Sequence, residues 1–211
     1  MGGKLVRALV DFSQPVKILD SGTADDIKKP WPESQHGQFD LVHQRLTLLG
    51  AGPNASASIS HLYSIVKPGG WVQISEGTMD FPSDIVNKER TPAYNDMLQL
   101  RRSVAGAVGA EWHLGRLLKG LLEETGFTDV GEEDVMLNMG RTNKDEKLAK
   151  EGAESCGVAV QGLSKFVKNF PPEKQPLLTE RYETLAADLE KELMEKGAVY
   201  PLKVVWGRKP E

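Results

Sequence analysis

His43 is the side chain best placed in this sequence to move a proton. It sits in the run "FDLVHQR", and a neutral imidazole takes a proton from a hydroxyl or amine near pH 7. A histidine at a strand end also serves as a hydrogen-bonding cap, and both readings stand. Arg45, two residues on, either fixes an anionic group or pairs with a neighbouring carboxylate. Glu76 ends the run "GGWVQISEG" and offers its carboxylate to a substrate or to solvent. Upstream, "VKILD" closes on Asp20 and opens into the small-residue turn Ser21-Gly22-Thr23-Ala24, where a backbone can come close to a bound ligand. A binding turn of this kind is ordinarily followed by a helix and a second strand that carries an acid about 20 residues on. Here Lys28, Lys29, Pro30, Trp31 and Pro32 arrive instead, so the unit opens as a nucleotide-binding element and then loses its middle.

Other chemistries find less support. The sequence has 4 histidines, far apart, and no paired-cysteine spacing, so no metal site is expected. "GTADD" lacks the strained nucleophile elbow of a Ser-His-Asp hydrolase. Cys156, the only cysteine, lies in "AESCGVAV" and reads as a packed thiol in a reducing compartment. The net charge of −4 and pI near 5.7 argue against a nucleic-acid partner. The pairs Lys28-Lys29 and Arg101-Arg102 read as solvated surface, and His36 and His61 are given no role. "MGGKLVRALV" is too short and interrupted for a secretory signal, Val6 stands where a myristoylation signal wants Ser or Thr, and no apolar run approaches the roughly 18 residues of a membrane span. A cytoplasmic protein is expected.

The elements that must position these residues follow from pattern. Three strands are predicted in the first half: Val16 to Asp20, "FDLVHQRLTLL", and "GGWVQISEG". Between the last two, Ile59, Leu62, Ile65 and Val66 share one helical face, closed by Pro68-Gly69-Gly70. Strand, helix, strand in that order implies parallel pairing and an α/β architecture. Further on, helices are predicted from Pro92 to about Val108 and over "LGRLLKGLLEETGF", stopped by Gly126. A strand over "DVGEEDVMLNM" and a helical region from Asp145 to about Asn169 follow. The last helix, Leu178 to Lys196, places Leu178, Tyr182, Leu185, Leu189 and Leu193 on one face. "YPLKVVWGRK" closes the chain as a strand. One domain is expected over 1–211, its helices around 93–115 and 145–196 covering one edge of the sheet.

Taken together, "VKILDSGTAD", "FDLVHQR", "VKPGGWVQISE", "LLEETGFTDV" and "YPLKVVWGRKP" resemble the class I S-adenosylmethionine-dependent methyltransferases, above all the fungal branch that modifies secondary metabolites. The resemblance covers nearly the whole chain and implies a Rossmann-like, mostly parallel sheet. It implies Asp20, Ser21, Gly22 and Ala24 at the methionine end of S-adenosylmethionine, Asp26 and Ile27 near the adenine, and His43, Gln44 and Arg45 lining the cleft. Glycine is common in the family at the positions of Ala24 and Asp26, and both depart from it here. His113, beside Trp112, falls where the family's substrate-covering loops lie, which makes it a second candidate base. In the family, two helices and two strands separate the first strand from the one matching "FDLVHQR". At about 1.5 Å per helical residue and 3.3 Å per strand residue, two βα units do not fit between Asp20 and Phe39.

The first expectation is methyl transfer to an oxygen, nitrogen or sulfur of a small molecule. A second is an enzyme on the same scaffold that guides cyclisation or a pericyclic step without methyl transfer, using Trp112, His113 and the segments around Met97 and Met136. A third is a non-catalytic binding partner. In the family the absent strands lie beside the first one, so homo- or hetero-association through the edge of Val16 to Asp20 is expected.

Overall fold

The computed structural model describes residues 15–20, 27–79 and 89–211. Five strands form a mixed sheet in the order β1-β2-β3-β5-β4. The first two, β1 (Ile18–Asp20) and β2 (Phe39–Arg45), run parallel, with Asp20 beside His43. β2 runs parallel to β3 (Val66–Gly77), and His43 stands beside Gln73. The crossover between them is α1 (Ala55–Ile65), which buries Ile59, Leu62 and Ile65 on the expected face. Val66 has already left that helix and begins β3. β5 (Ala198–Arg208) returns antiparallel along β3, and β4 (Thr128–Met139) lies outside it. Between Asp20 and Phe39 the described residues hold only a short turn of 3-10 helix, Glu33–Gln35.

The chain divides into two compact units. The sheet unit comprises 1–79, 109–135 and 202–211. Its core brings Val42 of β2, Ile74 of β3, Leu62 of α1 and Val205 of β5 against Leu118 and Leu122 of α3 (Leu114–Thr125). Strand neighbours point to opposite faces. Leu41 therefore leaves that core and packs with its register partner Trp71 in a separate small cluster. Gly126 ends α3 in the left-handed region at φ 102°, a conformation only glycine adopts cheaply. The strand pairing is pinned at its start by Asp40, which accepts from the Lys17 amide at 2.8 Å and from Lys67 Nζ at 2.7 Å. These two bonds hold the Asp40 carboxyl below its usual range, the Lys67 bond counting most.

The helical unit comprises 80–108 and 136–201. It contains α2 (Pro92–Val108), α4 (Glu146–Val167) and α5 (Arg181–Lys196). Asp145 caps α4 by accepting from the Leu148 amide at 3.1 Å. Glu192 of α5 is buried and accepts from the amides of Ala93 (3.2 Å) and Tyr94 (2.9 Å), two donors that the first turn of α2 leaves unpaired. Tyr182, Leu185, Leu189 and Leu193 are buried as expected. Leu178 is not: α5 begins three residues after it, so Leu178 falls off the apolar face and is 80% exposed. The pair Arg101-Arg102 also divides. Arg102 is exposed, whereas Arg101 is partly buried, with its guanidinium 5.0 Å over the Tyr200 ring. No described helix is long and apolar enough to cross a membrane.

Candidate functional site

In parallel strand pairs, ligand-binding groups gather beyond the carboxyl ends of the strands. In the sheet unit three such ends follow one another: Asp20 of β1 pairs with His43 of β2, Arg45 of β2 pairs with Ser75 of β3, and β3 runs on to Gly77. His43 Nδ1 lies 3.6 Å from Asp20 Oδ2, with the His43 side chain 13% exposed and that of Asp20 69% exposed. At that separation the two form an ion pair only when the ring is protonated. Arg45 is exposed at the end of its strand. Ser21, Gly22, Ala24 and Asp26 lie outside the described residues. Ile27 is described: it is partly buried against the core of the sheet unit, and its carbonyl accepts from Ser58 Oγ at 2.9 Å.

Gln44 is 1% exposed, and its side chain donates from Nε2 to Thr47 Oγ1 at 2.6 Å. Its Oε1 is buried and accepts from no group among the described residues. Thr47 went unremarked in the sequence. Its only signal there is its place three residues after Gln44, which becomes meaningful once the chain turns out of β2.

Glu76 corrects the expectation of a solvated carboxylate. It is 4% exposed, and its Oε1 accepts from the Leu48 amide at 2.8 Å. The residues after β2 wind into a 3-10 segment, Leu48–Asn54, whose first amide has no helical acceptor. Glu76 supplies that acceptor from the neighbouring strand end. Its work is to hold the loop that leaves the His43 strand.

His113 precedes α3 and is exposed. Gly115, one turn into the approach, explains its placement: a Cβ there would stand 2.8 Å from the Gly77 carbonyl oxygen. Only a glycine lets the start of α3 come this close to the end of β3. His113 Nδ1 then lies 3.1 Å from the Thr78 carbonyl oxygen. A carbonyl can only accept, so this bond places the proton on Nδ1 and leaves the lone pair of the neutral ring on Nε2. That is the form a general base requires. Trp112 is half-buried beside it. Met97 belongs to the buried interior of the helical unit, 4% exposed, while Met136 is 51% exposed, so these two methionines do not line a common apolar surface there. No cluster of potential metal ligands occurs among the described residues.

The structure thus brings Asp20 and His43 together on one face of the sheet, places the side chain of Gln44 on the other face with its Oε1 unpaired among the described residues, and fixes His113 at the exit of β3. No family model matches the chain. It is similar to several curated fungal proteins. The N-methyltransferase sirN of Leptosphaeria maculans is 31% identical over 249 residues, spanning 99% of this chain and 86% of that protein. The methyltransferase psoC of Aspergillus fumigatus is 28% identical, spanning 98% of this chain and 88% of its own length. The N-methyltransferase gliN of the same fungus is 26% identical, spanning 99% and 88%.

Proposed function

We propose that this chain, which belongs to the class I S-adenosylmethionine-dependent methyltransferase family in its fungal branch, methylates a nitrogen of a small molecule of secondary metabolism, with His113 as the base. The nitrogen is supported by sirN and gliN, both named N-methyltransferases. The base is supported by one observation above others, the His113–Thr78 bond that leaves Nε2 with its lone pair. S-adenosylmethionine, the family's cofactor, supplies an electrophilic methyl group. An amine near neutral pH is largely protonated and needs a partner to take its proton, a task for the Nε2 lone pair of His113. His43, with Asp20 at 3.6 Å, serves as cofactor neighbour and as the second candidate base.

The described strand-end groups fit the cofactor. Asp20 is exposed at its strand end, ready to accept from the ammonium or hydroxyl donors that the cofactor carries. Asp20 would hold it, with Ser21, Gly22, Ala24 and Asp26 of the turn, His43, Gln44 and Arg45 lining the cleft, and Ile27 near the adenine. A shortened cofactor half is part of the same reading. The alignment to sirN runs over 249 residues against 211 in this chain, which supports an internal gap. Asp20 and Phe39 are the positions where the spacing places it. Association through the edge of Val16 to Asp20, where the three-residue strand β1 ends the strand order beside β2, and a cytoplasmic location are proposed alongside.

Isothermal titration with S-adenosylmethionine, followed by mass spectrometry of a panel of small amines incubated with enzyme and cofactor, tests the reading. Saturable binding and a product heavier by one methyl group are expected. The His113→Gln variant should lose about 100-fold in turnover while still binding the cofactor. No heat of binding at millimolar cofactor would overturn it.

A further inference from the structure

The helical unit holds two partly buried arginines, and it treats them differently. Arg181 of α5 is surrounded by acid: its Nε lies 2.6 Å from Asp96 Oδ2, and its Nη1 pairs with Asp188. Arg101 of α2 has no carboxylate within ion-pair distance among the described residues. Its Nε is shut away from solvent and donates to no group among the described residues. Its guanidinium carbon stands 5.0 Å from the centroid of the Tyr200 ring, a residue 3% exposed. Polar groups close enough to sense its charge include Tyr94 and Cys156. Both are committed elsewhere: Tyr94 Oη donates to the Val199 carbonyl at 3.1 Å, and Cys156 Sγ lies 3.6 Å from Met139 Sδ. Burial pushes both the Tyr94 hydroxyl and the Cys156 thiol up, so neither becomes an anion that would balance Arg101.

A cation taken partly out of water without a counter-charge is costly, and the face of one aromatic ring returns only part of that cost. The Arg181 site shows that this fold places acids around a guanidinium where charge balance is all that is needed. We infer that Arg101, seated on Tyr200, is a binding residue of the helical unit for a planar organic carboxylate. The chemistry selects that class. With Nε closed off, the Nη edge remains, and its parallel N–H groups match the two oxygens of a carboxylate. The single charge of Arg101 balances a monoanion, whereas a phosphate dianion would call for a second cation.

Calorimetric titration of the full chain with benzoate, with its neutral isostere benzamide and with inorganic phosphate tests this. Benzoate should bind saturably, benzamide should give no comparable heat, and phosphate should bind more weakly than benzoate. Arg101→Gln should weaken benzoate about tenfold or more, the loss expected of a charge-assisted bond. Arg101→Lys, which keeps the charge and most of the stem but not the fork, should fall between the two and serves if the glutamine variant folds poorly. Equal binding of benzoate and benzamide to the wild type, unchanged benzoate affinity in either variant, or tighter binding of phosphate would each overturn the assignment. The measurement reads binding alone, so its outcome is separate from that of methyl transfer.

Discussion

Glu76 in the sheet unit and Glu192 in the helical unit are the same device in two settings. Each is a buried carboxylate that accepts from backbone amides left unpaired at the start of a helical segment: that of Leu48 for Glu76, those of Ala93 and Tyr94 for Glu192. Around Glu192 the charges are largely resolved within the fold, by Lys196 at 3.9 Å and by the Arg181 pairs nearby in the same unit. Around Glu76 the neighbouring strand ends instead keep groups in reach of a ligand: an exposed Asp20 and the His43 ring beside it. The difference teaches how to separate frame from function. A buried charge that finds its partners within the fold is holding the backbone. By that criterion Glu76 belongs to the frame, and Arg101 stands out in the unit that otherwise pairs its buried charge.

The sharpest way to break the comparison is Glu192→Ala. It strands two buried amides at the start of α2, and a stability loss of about 3 kcal/mol is expected by denaturant titration. A loss within the range of an ordinary surface substitution, about 0.5 kcal/mol, would mean the carboxylate does not carry the end of that helix.

Glu76→Ala strands one amide and should cost about 2 kcal/mol, with Glu76→Gln recovering most of it because a neutral amide oxygen still accepts. Both variants should bind S-adenosylmethionine within severalfold of wild type once folded. A selective collapse of cofactor affinity in a well-folded Glu76→Gln protein would move Glu76 from the frame into the site.

The smallest effect is expected at Asp40, whose bonds to Lys67 and Lys17 are partly exposed to solvent. Its carboxyl titrates lower in the folded chain than in the unfolded one. The contribution is therefore complete above about pH 4 and fades as pH falls through the lower folded value. Asp40→Asn should cost a few tenths of a kcal/mol at neutral pH and flatten the acid limb of the stability curve. An unchanged acid limb would show that the lock between β1 and β2 is not electrostatic.

Apolar spacing and turn chemistry determined most of the elements here without help from tertiary structure. The parallel strands around α1, the start of α2 at Pro92, the stop of α3 at Gly126 and the aromatic-rich closing strand were legible because period and caps are local properties. Asp20 and His43 stood out as candidates by residue type at a strand end, whereas His113 was singled out only through the family resemblance. Leu178 was misread because side-chain period continues past the residue where the backbone actually becomes helical. The fate of the polar groups was decided only by tertiary structure. Glu76 meets Leu48 across 28 positions, and Glu192 meets Tyr94 across 98. Whether a carboxylate is solvated, spent on an amide or open to a ligand depends on such distant partners. The tautomer of His113 likewise waits on the Thr78 carbonyl, 35 residues away, because no local pattern fixes which ring nitrogen will meet an acceptor.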